Sequence, residues 1–340
     1  MTLPGEMDFL ILFGLYLGLV LLSVAVCLSS RREQSFSWTL IRGTNQVFSR
    51  VIPGAVYRAA QKAIHGLFHS RTSFFVVLHL ILEGLVYGEY TWEVFSYCQE
   101  LQFNRLLLLL PYVLLVVNVT FFILCSKSNP GIITKSNQLL FVDAYAYDGL
   151  MFRQDAECPT CAVRKPARSR HCGVCRGCIH RFDHHCIWLN NCIGAFNIRF
   201  FLCYLLTLTS MAASIAVVTV GFLTQIVLLS NLTLGHYIDD QDQEHPVDTF
   251  FVIQELFLTF PRIVFMLGFV ILLVVILGSY FCFILYLILT NQTSNEWFKS
   301  ARYSEQYSRE EGYRNIYSKG VWANMAEIVT PLTALAEKRK

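Results

Sequence analysis

Five long apolar stretches, separated by polar and charged segments, dominate the chain. A bilayer core is about 30 Å thick and takes about 20 apolar residues of helix to cross. The second stretch also carries His79 and Glu83, ionisable groups that inside a span normally face protein or water rather than lipid. The pattern predicts an all-α polytopic membrane protein with about five transmembrane helices, at Phe9 to Leu28, Ser73 to Tyr90, Leu106 to Cys125, Phe200 to Leu229 and Ile263 to Leu289.

The charges of the connecting segments predict the orientation of these helices. Residues 29–72 carry seven Arg and Lys residues but one acid, Glu33, which indicates a cytosolic segment. Alternation then places residues 126–199 and the C-terminal tail in the cytosol, and the N-terminus on the lumenal side. Residues 230–258 would also be lumenal, because they are acidic and include Asn231-Leu232-Thr233, a glycosylation acceptor.

The expected organisation has six segments. The first apolar stretch lacks a basic n-region and is followed by Arg31 and Arg32, so it is interpreted as a retained helix rather than a cleaved signal peptide. In chain order the segments are an N-terminal transmembrane helix (1–28), a basic cytosolic loop (29–72), a transmembrane hairpin (73–125), a small cytosolic cysteine-rich domain (126–199), a transmembrane hairpin with an acidic lumenal loop (200–289) and a cytosolic tail (290–340).

Composition agrees with a membrane location. Hydrophobic residues make up 54% of the 340 residues and charged residues only 15%, with a mean hydropathy of +0.47, a balance that is rare in water-soluble globular proteins. The net charge of +3 is too small to argue for nucleic acid, so no nucleic-acid partner is expected.

Seven of the twelve cysteines fall in one short polar window, in CxxC-type spacing. Such a cluster is either a disulfide framework or a metal site. Disulfides seldom persist in the cytosol, so the spacing favours zinc, which is tetrahedral and bound by Cys and His. Two Cys3His sites would use six cysteines and two histidines, and would leave one cysteine over. The alternative is a purely structural finger that binds a partner; the window contains Cys158, Cys161, Cys172, Cys175, Cys178, Cys186, Cys192, His171, His180, His184 and His185.

The string Asp183-His184-His185-Cys186 could supply a nucleophile, a base and an orienting acid. A thiol becomes a good nucleophile when a neighbouring imidazole takes its proton or when zinc lowers its pKa. A carboxylate can hold that imidazole in the required tautomer. The same four residues could equally belong to a zinc finger. His180 is interpreted as an ordinary surface histidine.

The segment from Cys158 to Phe200, CPTCAVRKPARSRHCGVCRGCIHRFDHHCIWLNNCIGAFNIRF, resembles the cysteine-rich domain of the DHHC family of protein S-acyltransferases, the palmitoyltransferases. The resemblance implies that Cys186 is the nucleophile, His184 the base and Asp183 the group that orients it. It also implies two structural zinc ions, one bound by Cys158, Cys161, His171 and Cys178 and the other by Cys172, Cys175, His185 and Cys192.

The same resemblance implies transfer of a palmitoyl group from palmitoyl-CoA to cysteine thiols of membrane-associated proteins. Lys165 and Arg168 fall where family members contact CoA phosphates, although juxtamembrane bases such as Arg164 and Arg170 can also be explained by attraction to anionic lipid. Trp188 would line the mouth of the acyl cavity, or serve only as an interfacial anchor.

Several positions depart from the family pattern. Asn129-Pro130-Gly131 replaces Asp-Pro-Gly, which puts any ionic role at the first position in doubt, and Thr293-Ser294-Asn295-Glu296 replaces Thr-Thr-x-Glu. Asn315-Ile316-Tyr317, Gly320 and Asn324 resemble the family's tail motif, in which an aromatic residue and an asparagine pack the tail against the catalytic domain.

Other functions fit less well. A ubiquitin ligase of the RING type would need a further CxxC pair after Cys192, and a transporter would leave Asp183 to Cys186 unexplained. A catalytically inactive zinc-binding membrane scaffold is the remaining alternative. The family suggests the endoplasmic reticulum or Golgi, with the plasma membrane as a further location.

Overall fold

A computed structural model describes residues 53–238, 243–306 and 315–330. The first predicted span, Phe9 to Leu28, and most of the predicted basic loop lie outside these residues. Within the described ranges, four helices are long and apolar enough to cross a membrane: α2 (Phe74–Glu100), α3 (Arg105–Lys127), α5 (Ile198–Leu229) and α7 (Pro261–Leu289). The prediction of a helical multi-pass membrane protein is confirmed.

Shorter elements connect these helices. The remaining helices are α1 (Gly54–His69), α4 (Gln138–Val142), α6 (Thr249–Thr259), α8 (Ser294–Gln306) and α9 (Val321–Val329), with a 3-10 turn at Leu232–Leu234. The strands are β1 (Ile132–Ile133), β2 (Glu157–Cys158), β3 (Val163–Arg164), β4 (Arg170–Cys172), β5 (Gly177–Ile179), β6 (His184–Cys186), β7 (Asn191–Ile193), β8 (His236–Ile238) and β9 (Glu244–Pro246).

Helix α2 is longer than its hydropathy predicts. The sequence predicted a span that ends at Tyr90, but the helix continues through a π-helical turn, Tyr90–Phe95, to Glu100. The hydroxyls of Tyr87 and Tyr90 donate to the carbonyl oxygens of Pro111 and Leu108 in α3, at 2.7 and 3.0 Å. These contacts with α3 stabilise the helical continuation from Tyr90 to Glu100, which is too polar for hydropathy to identify as part of a transmembrane helix.

The helix bundle is built around α5, which packs against α3 on one side and α7 on the other. Asn118 of α3 is fully buried and donates to the carbonyl oxygen of Tyr204 and the hydroxyl of Thr207 on α5, at 3.0 and 2.9 Å. Because a buried amide needs a partner, these bonds fix the register between the two helices. Ile328 of α9 joins the same apolar core.

The cysteine-rich region consists of three short antiparallel hairpins: β2–β3, β4–β5 and β6–β7, with β1 added to the edge of β5. Hairpins this short are marginal without further support. Gly194 follows β7, and a side chain there would come within 2.5 Å of the Pro130 carbonyl oxygen and 2.7 Å of Ile179. Only glycine allows this approach of the third hairpin to the segment after α3.

Residues 53–70 and 231–259 belong to a separate compact unit. It contains the hairpin β8–β9, in which Tyr237 pairs with His245, and helix α6. The ring of Tyr237 stacks on Phe251 with 4.5 Å between centroids. The predicted lumenal loop therefore contains regular structure of its own.

Candidate active site and zinc centres

The first Cys3His cluster joins two of the hairpins. Cys158 and Cys161 come from the β2–β3 hairpin, and His171 and Cys178 are paired directly across β4 and β5. The Nδ1 atom of His171 lies 3.6, 3.2 and 3.9 Å from the three sulfurs, in the order Cys158, Cys161 and Cys178. The four side chains converge without any covalent link between their hairpins.

The second Cys3His cluster repeats this plan one hairpin further along. Cys172 and Cys175 belong to the β4–β5 hairpin, and His185 is paired with Cys192 across β6 and β7. The Nδ1 atom of His185 lies 3.4 Å from the sulfur of Cys175 and 3.5 Å from that of Cys192.

Both clusters fit zinc by donor type and spacing. In each, the four ligand atoms lie within 4.8 Å of one another. A tetrahedral ion with Zn–S distances of about 2.3 Å separates its ligands by about 3.8 Å. The two groups coincide with the ligand sets implied by the sequence resemblance, and two zinc ions are the cofactors that the region is suited to hold.

Strand β6 directs neighbouring side chains into different surroundings. Neighbouring residues of a strand point to opposite faces, so His185 turns into the second Cys3His cluster while His184 and Cys186 share the other face. Cys186 is buried among α3, α5 and α7, with 9% of its surface exposed. The ring of His184 packs edge-on against Phe201 of α5, at 5.1 Å.

Asp183 fixes the position of the His184 ring through a hydrogen bond. Its Oδ2 accepts from the Nδ1–H of His184 at 2.7 Å, and both carboxylate oxygens accept from Ser294, from the backbone N–H at 2.7 Å and from the hydroxyl at 2.9 Å. Burial opposes charge on Asp183, but the bonds to His184 and Ser294 outweigh it and hold the pKa of the carboxyl below its usual range. Ser294 is thus a site residue whose role the sequence did not reveal.

The environment makes His184 a strong base. Burial lowers the pKa of an imidazole, but the hydrogen bonds to Asp183 and Cys186 and their negative charge raise the pKa of His184 to about 10. His184 therefore binds a proton readily, and it lies beside the thiol of Cys186, the one cysteine of the window that belongs to neither Cys3His cluster.

A deep apolar cavity opens beside Cys186. Its volume is about 380 Å³, and its wall is formed by Cys186, Trp188 and apolar side chains of α2, α5 and α7. Along α5 it extends from Phe201 to Ile215, about 21 Å of helix axis, a length comparable to an extended sixteen-carbon chain. Trp188 is 40% exposed and packs edge-on against Phe75.

The structure corrects the prediction for Arg168. This side chain is fully buried, and its guanidinium makes two hydrogen bonds to Glu296, at 2.7 and 2.8 Å. Two further bonds go to the side-chain and backbone oxygens of Asn291, both at 2.9 Å. With all its nitrogens occupied, Arg168 cannot also contact a phosphate, and it acts as an internal anchor instead.

The tail closes over this anchor, as the tail-motif resemblance predicted. Tyr317 lies over the Arg168 guanidinium at 4.3 Å and donates to the carbonyl oxygen of Ala146 at 3.1 Å. Asn324 donates to the carbonyl oxygen of Leu289 at 2.7 Å. Tyr317 therefore connects the tail to the cysteine-rich region, and Asn324 connects it to the end of α7.

His180 is not a surface residue, which corrects a second prediction. It is 1% exposed and lies against the rings of Phe141 and Tyr145, at 4.7 and 5.4 Å. Burial, with the nearby positive charges of Arg168 and Arg181, lowers the pKa of His180 to about 3. It is a neutral residue that packs in the interior. A single histidine in the sequence, without its neighbours in space, could not indicate this burial.

Asn129 serves a role that needs no charge. Its side-chain oxygen accepts from the backbone N–H groups of Gly131 and Ile132, both at 2.9 Å. An aspartate would accept the same bonds, so the exchange preserves the turn that leads into β1.

Comparison with known proteins agrees with this site. The family model described as DHHC palmitoyltransferase matches residues 151–301. The palmitoyltransferase ZDHHC4 of Bos taurus is 52% identical over 98% of this chain and 100% of its own length. Those of Rattus norvegicus and Mus musculus are 49% and 50% identical over the same shares.

The fold, the cysteine-rich site and these relatives define a multi-pass membrane acyltransferase. The chain belongs to the DHHC palmitoyltransferase family. It is an enzyme that transfers a long-chain acyl group from acyl-CoA to cysteine thiols of proteins.

Proposed function

We propose that Cys186 is the nucleophile, His184 its base and Asp183 the residue that orients His184. The observation that carries this assignment is the alternation along β6, which turns His184 and Cys186 away from the second Cys3His cluster and brings Cys186 to the wall of the apolar cavity. The hydrogen bonds that Asp183 accepts from His184 and Ser294 support the role of Asp183.

The proposed reaction has two steps, acylation of Cys186 and then transfer of the acyl group to a substrate thiol. The thiol of Cys186 gives its proton to His184, and its sulfur attacks the carbonyl carbon of palmitoyl-CoA. The bond to the CoA sulfur breaks, and CoA leaves as a thiol after taking the proton from His184. A substrate thiol then gives its proton to His184 and attacks the acyl-enzyme. Cys186 leaves, recovers that proton and is ready for another cycle.

The eight cluster residues would hold the two zinc ions: Cys158, Cys161, His171 and Cys178 in the first, and Cys172, Cys175, His185 and Cys192 in the second. Bound zinc would cross-link the three hairpins and fix the position of β6. The residues of the chain carry the chemistry, since Cys186 lies outside both ligand sets.

The acyl donor would divide between membrane and cytosol. The palmitoyl chain would enter the cavity past Trp188, where each buried CH2 stabilises binding by about 0.8 kcal/mol. Lys165 would bind the CoA phosphates, and Lys299 would take the place first assigned to Arg168. Burial and the nearby positive charges of Arg170 and Lys165 lower the pKa of Lys299. A bound phosphate would offset the repulsion among these three cations.

The predicted topology completes the proposal. The basic segment before α2 supports a cytosolic position for residues 126–199 and for the tail, with a lumenal N-terminus and an acidic lumenal loop. Protein substrates would be membrane-associated, since Cys186 lies where the cysteine-rich region meets the helix bundle. The endoplasmic reticulum or Golgi is the proposed location, with the plasma membrane as the alternative.

The test is acyl-enzyme formation by purified full-length protein with a palmitoyl-CoA analogue. Hydroxylamine-sensitive label is expected on the wild type. It is also expected on the control variant Cys282→Ser, which removes an exposed cysteine outside the proposed site. Cys186→Ser should take no label while keeping two zinc ions, and His184→Ala should label at least about 100-fold more slowly. Equal labelling of wild type and Cys186→Ser would refute the nucleophile assignment. An unlabelled wild type that retains zinc would favour the inactive scaffold.

A further inference from the structure

A polar cluster interrupts the apolar wall of the cavity. His79 and Glu83 of α2 are one helical turn apart, and the Nε2 atom of His79 lies 3.1 Å from the hydroxyl of Tyr204 on α5. One oxygen of Glu83 is 3.8 Å from His79, and the other has no hydrogen-bond partner among the described residues. The Glu83 side chain is only 9% exposed, and all three residues line the cavity.

The depth of this cluster follows from the pairing of α2 and α5. His79 contacts Tyr204 and Tyr97 contacts Phe222, so eighteen residues separate the contacts on both helices and the two helices run parallel. Glu83 therefore lies seven residues deeper than Phe201, which touches the ring of His184. That is about 10 Å of helix axis, or roughly half of an extended sixteen-carbon chain.

The unpartnered oxygen of Glu83 is already buried, and an unsubstituted acyl chain in the cavity would leave it unsatisfied. Covering a polar group without supplying a hydrogen bond costs free energy, and an ionisable residue inside a membrane normally has a functional partner. A hydroxyl group can both donate and accept, and so can bond to the free oxygen of Glu83 in either protonation state.

We propose that Glu83, supported by His79 and Tyr204, forms a subsite for a hydroxyl group at the middle of the acyl chain. The enzyme then accepts mid-chain hydroxyacyl-CoA thioesters as donors alongside palmitoyl-CoA. This inference rests on the proposed function, because it requires the acyl chain to occupy the cavity next to Cys186.

The test compares acyl-enzyme formation from three sixteen-carbon acyl-CoA donors: unsubstituted, hydroxylated near carbon 8, and hydroxylated at the terminal carbon. In the wild type, the mid-chain hydroxy donor should react at least about fivefold faster than the terminal one. Glu83→Leu should lower the ratio of mid-chain hydroxy to unsubstituted rates by about tenfold. Glu83→Gln, which keeps hydrogen bonding, and Leu82→Ala, which alters only the apolar wall, should leave that ratio within about threefold of wild type.

The outcomes separate the two proposals. If the wild type does not label with palmitoyl-CoA, the proposed function fails. If it labels, but the mid-chain and terminal hydroxy donors react equally, the subsite is refuted even if Glu83→Leu does not fold. An unchanged ratio in a Glu83→Leu protein that retains zinc also refutes the subsite, and means that water satisfies the carboxyl group.

Discussion

The two Cys3His clusters have the same ligands and the same hairpin geometry but different positions relative to the chemistry. In both, a histidine is paired across a hairpin with a cysteine, and a CxxC turn completes the set. The first cluster lies against β1 and α4, with Phe141 and Val163 in its apolar surroundings. The second includes His185, whose neighbours along β6 are His184 and Cys186.

This difference assigns a distinct task to each cluster. A ligand in the middle of β6 fixes the direction of the residues on either side, because alternation along a strand leaves no freedom between them. The second cluster therefore positions His184 and Cys186, the proposed base and nucleophile, directly, whereas the first can influence them only through β4 and β5.

Loss of one ligand from each cluster gives the largest expected contrast. Cys192→Ser should lower the rate of acyl-enzyme formation at least about 100-fold, because β6 loses its fixed position. Cys158→Ser should lower it about tenfold and reduce thermal stability. The measurement is labelling rate with zinc content, each variant being expected to lose one ion. Equal rate losses would show that the two clusters act as one unit.

The buried anchor Arg168 should affect stability more than chemistry. Arg168→Ala leaves Glu296 buried without its partner and should destabilise the fold by about 3–5 kcal/mol. Arg164→Ala, which removes an exposed ion pair with Asp155, should cost less than about 1 kcal/mol. Thermal unfolding in detergent measures both. A small effect of Arg168→Ala would contradict the anchor role assigned to Arg168.

Ser294 connects the second cluster's strand to the tail. Ser294→Ala removes the hydroxyl bond to Asp183 but keeps the backbone bond, so the labelling rate should fall about tenfold. Ser294→Thr keeps the hydroxyl and should remain within about twofold of wild type. The role assigned to this hydroxyl fails if alanine and threonine give the same rate.

The smallest effect is expected at the entry to the first cluster. Asn129→Asp keeps the acceptor for the bonds from Gly131 and Ile132, so activity and stability should stay within about twofold of wild type. Asn129→Ala removes that acceptor and serves as the comparison. A marked gain or loss with aspartate would indicate that the charge at this position matters.

Local patterns carried much of the prediction. The ends of α3, α5 and α7 lie within about two residues of the predicted spans, because a long apolar run in a membrane has few alternatives to a helix. The ligand sets also emerged from sequence, because CxxC spacing and the family motif are local signals. Helix α2 was predicted too short, since Tyr87 and Tyr90 secure its polar end through contacts that hydropathy does not register.

The sequence by itself predicted the membrane helices, the two zinc-type ligand sets and the Asp183 to Cys186 string that is proposed to carry the chemistry. Only the tertiary structure decided which charged residues are free to bind a ligand. Arg168 and Lys165 look equivalent as basic residues in one motif, yet Arg168 is enclosed by Glu296 and Asn291 from a distant part of the chain. The tertiary structure likewise brought Ser294 to Asp183, and Glu83 to the wall of the cavity beside Cys186. Burial and hydrogen bonding between distant segments leave no local pattern in the sequence.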